Sequence, residues 1–169
     1  MDAAALRALQ APIKERYKSD ARSAFITLKA RGTLDDAHIA CKVETGRALA
    51  VAGLHPATGG SGLELCSGDM LLEALVACAG VTLKSVATAV EVPLTKGIVI
   101  AEGDLDFRGT LGVDKEAPVG FAEIRLRFEV ETSAPQEKLD LLLKLTERYC
   151  VVYQTIKNGP KVAVSMKRV

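Results

Sequence analysis

Tryptophan is absent from this chain of 169 residues, and aromatics make up only 4% of it. Aromatic platforms on which nucleic-acid bases stack are therefore not expected. No sign of charge dominates either: 22 basic residues face 21 acidic ones. That balance, with no basic cluster set among aromatics, argues against a nucleic-acid partner. Cysteines are few and unpaired in spacing. Cys41, Cys66, Cys78 and Cys150 form no C-x-x-C, so free thiols are expected rather than a zinc site or a disulfide framework. His38 and Cys41 lie close in sequence, but two residues do not make a metal site, and neither a metal nor a cofactor is expected. Long apolar runs are missing too. The richest, Ala74 to Leu83, is bracketed by Glu73 and Lys84, well short of the roughly 20 residues a bilayer span needs. The N-terminus has no basic stretch followed by an apolar one, so no signal peptide is expected. These absences predict one soluble, cytoplasmic domain over 1–169 with no membrane partner.

The remaining pattern is mixed. Asp2 can cap a helix over 2–18, where Leu6, Leu9, Ile13 and Tyr17 recur at helical spacing, with Pro12 expected to kink or split it. Residues 1–20 read as an extension. Ala24–Arg31, His38–Glu44 and Ala48–Val51 read as a small meander with turns at Gly32, Asp35-Asp36 and Thr45-Gly46. A glycine-rich loop over 53–68 reads as a flexible entry to a helix that starts at Ser67 or Asp69 and ends near Val90. Gly97–Phe107 and Phe121–Glu131 alternate apolar and polar residues, which marks antiparallel strands with one wet face. Glu102, Asp104 and Asp106 fall on the wet side, and Ala122, Ile124, Leu126, Phe128 and Val130 on the inner one. Ser133-Ala-Pro-Gln136 has the spacing of a capping box for a helix reaching Tyr149-Cys150. Lys161–Met166 reads as a last strand. The fold class is α+β: antiparallel sheets around a buried central helix.

That central helix is apolar on nearly every side, and such a helix must be covered all round. A short chain with short sheets does this most simply as a homodimer with two such helices packed together. Cys78 lies at its middle. On a helical wheel its face carries Leu71, Ala74, Leu75, Val81, Thr82 and Ser85, while Asp69, Glu73 and Lys84 point elsewhere. The helix offers its own thiol no charged partner, and the helix dipole fades within about a turn of the end. A buried thiol without a cation is inert, so activation has to come from elsewhere in the fold or from a second subunit.

The run Leu71-Leu72-Glu73-Ala74-Leu75-Val76-Ala77-Cys78-Ala79-Gly80 resembles the central helix of the OsmC/Ohr superfamily, the osmotically inducible and organic-hydroperoxide-resistance proteins. Glu147-Arg148-Tyr149-Cys150-Val151-Val152-Tyr153-Gln154-Thr155-Ile156, followed by Asn158-Gly159 and a final strand, resembles that family's second cysteine region. The resemblance runs over residues 22–169. It implies an intertwined α+β homodimer with the cysteines near the subunit interface. It also implies thiol peroxidase chemistry, in which Cys78 attacks an organic hydroperoxide and the resulting sulfenate condenses with Cys150. An external dithiol, often lipoyl-type in this family, then reduces the disulfide. Family members stabilise the thiolate with an arginine from the N-terminal strands. Arg31 matches best by position and Arg47 is the alternative. The glutamate that tethers this arginine in better-known members is replaced by Gly68, and Asp69 beside it is the substitute. Two other functions fit the same residues: a module binding a small hydrophobic ligand, and a slow thiol redox sensor.

Overall fold

A computed structural model describes residues 3–34, 41–43, 52–63 and 65–168. The chain opens with helix α1 (Ala3–Ser19) and a 3-10 turn, Ala21–Ala24. Strands β1 (Phe25–Leu34), β2 (Cys41–Val43) and β3 (Ala52–Gly53) follow, then a 3-10 turn at Pro56–Thr58 and strand β4 (Leu65–Cys66). The long helix α2 (Ser67–Ala89) leads to strand β5 (Lys96–Asp106), the short helix α3 (Phe107–Thr110) and strand β6 (Phe121–Glu131). Helices α4 (Gln136–Tyr149) and α5 (Val151–Asn158) complete the regular elements.

Four strands form an antiparallel sheet in the order β2-β1-β5-β6, and β3 pairs with β4 in a separate parallel ribbon. The inner face of β5 presents Val99 and Ala101, both fully buried, against Leu72, Leu75 and Val76 of α2. Ile124, Leu126, Phe128 and Val130 of β6 join this core, as do Leu139 and Leu142 of α4 and Val152 and Ile156 of α5. Helix α2 thus lies between the sheet on one side and α4 and α5 on another. By length and composition it could cross a membrane. In this fold it is the core helix, and each large aliphatic side chain it fully buries is worth about 1.5–3 kcal/mol.

Several expectations are corrected. Pro12 does not split α1, which runs through it. Strand β1 continues past Arg31 and Gly32 to Leu34, since its pairing with β5 and β2 extends that far. Within the glycine-rich segment, residues 55–60 form a tight turn. The His55 carbonyl accepts from the N–H groups of both Thr58 and Gly60, at 2.8 and 3.1 Å. A Cβ on Gly60 would lie inside the Leu54 carbonyl group. Gly60→Ala is therefore expected to unfold this turn and cost about 2–4 kcal/mol, in the upper range for a single substitution. Thermal unfolding checks it, and a midpoint equal to wild type would refute the close approach.

The Ser133–Gln136 capping box does not form. Pro135 occupies the N-cap without a side-chain cap bond. Instead the Thr132 hydroxyl bridges, donating to the Pro93 carbonyl and accepting from the Ala134 N–H at 3.0 Å. The pairing of β5 with β6 shifts register between Asp104 and Leu105. This irregularity leaves Ala122 exposed and brings Phe121 against Gly103, where a Cβ would overlap its ring. It also takes Asp106 off the wet face. Asp106 is 2% exposed, accepts from the Arg108 N–H and guanidinium, and caps α3. Glu102 and Asp104 remain partly exposed, bound by Arg125. No strand forms at 161–166, where Val162, Val164 and Met166 are each at least 79% exposed. A strand needs an edge to pair with, and this segment has none within the described residues. The expected turns at Asp35-Asp36 and Thr45-Gly46, and the segments His38–Ala40 and Ala48–Val51, lie outside the described residues.

Candidate functional site

Cys78 sits eleven residues into α2, roughly 16 Å along its axis at about 1.5 Å per residue. It is half-buried rather than sealed. Part of the wheel stripe it shares is open among the described residues, although Leu75 on the same face is buried. Ala74 and Ser85 are exposed, as are Leu71 at 40% and Val81 at 38%. The expectation that this single chain would leave an all-apolar helix short of cover therefore holds along one stripe, and Cys78 lies in it.

Cys150 occupies the joint between α4 and α5. Its extended backbone ends one helix, with its N–H donating to the Thr146 carbonyl at 2.9 Å, and starts the next. The β-branched pair Val151-Val152 after it suits such a break better than a continuous helix. The Cys150 Sγ acts as the α5 cap, accepting from the Tyr153 N–H at 3.5 Å. It is 1% exposed. Cys78 packs against the buried cluster to which Cys150 belongs. Burial pushes the Cys150 thiol up to about 11; the neighbouring Cys78 thiol acts in the same direction, and the Tyr153 and Val152 N–H groups oppose it. Cys66, Cys78 and Cys150 are all free thiols. The structure thus brings together two cysteines 72 positions apart.

Of the other candidates among the described residues, Arg31 and Asp69, it brings neither to them within one chain. Arg31 is exposed and stands opposite Ile100, on the sheet face turned away from α2. Arg47 lies outside the described residues. Asp69 is in the first turn of α2, where its electrostatic partner is His55. Burial raises the Asp69 carboxyl and lowers the His55 imidazole, and each acts on the other in the opposing sense. Among the described residues no three potential ligands gather to hold a metal ion.

Two cavities flank this arrangement. One, of about 470 Å³, opens between β6 and the α4–α5 pair and is lined by Leu75, Ile124, Leu126, Phe128, Tyr153 and Ile156, with Glu147 and Lys157 among its polar residues. It begins one turn along α2 from Cys78. The other, of about 380 Å³, lies at the start of α2 beside His55, Cys66 and Phe107. The sequence pattern gave no sign of it, because its walls come from four separate segments.

The sequence model of the OsmC-like protein family matches residues 59–165. An OsmC-like hydroperoxide resistance protein from Jannaschia sp. CCS1 has a similar crystal structure, with a TM-score of 0.63 and 14% sequence identity over 86% of this chain and 95% of that one. No curated protein sequence matches this chain. Its α+β fold is thus of the OsmC type, and the chain belongs to the OsmC-like protein family.

Proposed function

We propose that this protein is a thiol peroxidase that reduces organic hydroperoxides through Cys78 and Cys150. The observation that carries the reading is that Cys78 packs against the buried cluster that holds Cys150, with its thiol near enough to act on the Cys150 thiol. Cys78, on the open stripe, is the nucleophile. Its thiolate attacks the outer peroxide oxygen, the O–O bond breaks, and the alcohol leaves with a proton, so that Cys78 becomes a sulfenic acid. Cys150 is sealed by its own chain and stays a protonated thiol at neutral pH, which suits a resolving role. Its sulfur displaces the sulfenic hydroxyl as water and closes a Cys78–Cys150 disulfide. An external dithiol of the lipoyl type reduces this to two thiols and carries away the oxidising equivalents as its own disulfide. Such a cycle starts from free thiols and so belongs in a reducing compartment, the cytoplasm. The apolar cavity beside Leu75 and Tyr153 suits an organic substrate.

The active unit on this reading is a homodimer. A second copy covers the stripe at Leu71 and Val81, and the alternating Val162, Val164 and Met166 find a strand edge there. The cation that Cys78 needs comes from Arg31 or Arg47 across that seam, and Asp69 is the acidic residue nearest the missing glutamate at Gly68. The same apolar cavity supports a second reading, a hydrophobic-ligand module. Ligand-induced stabilisation that survives Cys78→Ser would favour it.

The test is mass spectrometry of the reduced protein titrated with cumene hydroperoxide. One Cys78–Cys150 disulfide per chain is expected at one equivalent. In Cys150→Ser the oxidation should stop at a Cys78 sulfenic acid that a dimedone reagent traps. Unmodified thiols after excess peroxide would overturn the peroxidase reading.

A further inference from the structure

The N-terminal helix lies outside the segment that matches the family, yet it is tied to one turn of the chain. The Tyr17 hydroxyl donates to the Ala57 carbonyl at 2.7 Å, and the Gln10 amide donates to the Thr58 carbonyl at 3.3 Å. Tyr17 is 1% exposed and packs in a small second core with Ala24, Phe107 and Leu111. The same turn depends on His55. The Ala57 N–H donates to His55 Nδ1 at 3.0 Å, which caps the Pro56–Thr58 turn. The His55 ring stacks on Phe107, with centroids 5.0 Å apart and planes 17° from parallel. His55 and Leu54 form one wall of the 380 Å³ cleft at the start of α2, across from Cys66.

Nδ1 accepts a hydrogen bond only while that nitrogen is unprotonated. A proton there puts two N–H groups face to face and removes the cap. We propose that α1 is a latch on the cleft at the start of α2, closed while His55 is neutral and released when His55 takes up a proton. The charged groups around the ring set the balance. From α2, Asp69 favours the imidazolium, and Asp69 together with burial raises the Glu73 carboxyl one turn on. From α3, the ring meets Phe107, whose neighbour Arg108 is held by Asp106 and Asp114. From α1, the turn meets the uncharged Tyr17 and Gln10, and Arg16 lies over the Tyr17 ring. Burial of His55 outweighs Asp69 and lowers its proton affinity. The sign follows: the unfolded chain binds this proton more readily, so the closed turn is fully stabilised above the ordinary histidine value near 6.5. That stabilisation is lost as pH falls through the lower folded value.

The experiment is hydrogen–deuterium exchange on the full chain between neutral pH and about pH 5, corrected for intrinsic rates, with the His55 ring proton followed by NMR. Protection of α1 and of residues 55–58 is expected to fall several-fold, with a midpoint that coincides with the His55 titration. Unchanged protection, or a midpoint that departs from the His55 titration, overturns the latch. His55→Asn keeps a cap acceptor that does not titrate, and its protection should no longer depend on pH. An acid-induced loss equal to wild type in that variant overturns the proposal. Tyr17→Phe should loosen residues 55–58 at neutral pH, and an unaltered turn there also counts against it.

Discussion

Cys78→Ser is expected to lose hydroperoxide turnover by about a thousandfold or more, the scale on which removal of a catalytic nucleophile acts. A serine hydroxyl at this place has no base beside it, because the face of α2 around residue 78 is apolar (Leu71, Ala74, Leu75, Val81). The substitution exchanges sulfur for oxygen in a half-buried position, so the fold should be retained and the loss should lie in the chemistry. Initial rates with cumene hydroperoxide and a dithiol reductant measure it. Turnover within about tenfold of wild type would mean that the peroxide is attacked elsewhere, since a tenfold change is only about 1.4 kcal/mol of barrier.

Leu72→Ala should produce the largest loss of stability among the aliphatic positions of α2. Its side chain is fully buried with Leu75, Val76, Val99 and Ala101 in one core. Truncation removes transfer energy and leaves a cavity that the sheet and helices cannot close, at a cost of about 2–5 kcal/mol. For a chain of this size that corresponds to a fall of about 5–15 °C in unfolding midpoint. Leu71, its neighbour, is 40% exposed on the open stripe and should cost a single chain far less. Equal losses at the two positions in a monomeric sample would contradict the orientation of α2.

Local signals and long-range ones were legible to very different degrees. The limits of α2 could be read because an apolar run between Asp69 and Pro93 is a local signal. Strand β6 could be read from its period of two. The latter failed at Ala122 and Asp106 because one shift of register between β5 and β6 reverses which side faces in, and a count along a single strand does not contain its partner. The capping box failed because Pro135 took the N-cap and Thr132 turned the chain. The alternation in Lys161–Met166 states only that the segment could be a strand; whether an edge is offered depends on other chains or other segments. The candidate site divides in the same way. Cys78 stood out through its helix, but its place beside the cluster that holds Cys150 rests on how α4 and α5 fold back onto α2, which only the family resemblance anticipated. The side on which Arg31 stands follows from its pairing with Ile100, a contact across 69 positions.

The break between α4 and α5 has a mechanical side. Two neighbouring thiols must draw together to bond. A sulfur in the middle of a helix would have to drag a rod with it. Cys150 is instead a single residue between a segment of 14 residues and one of 8, and its two backbone angles can swing the shorter arm while the longer one stays seated on the core. If the proposed disulfide forms at this joint, it would be felt as a tilt of α5 and a displacement of the exposed residues after Asn158, so that a bond to one buried sulfur would be displayed at the surface.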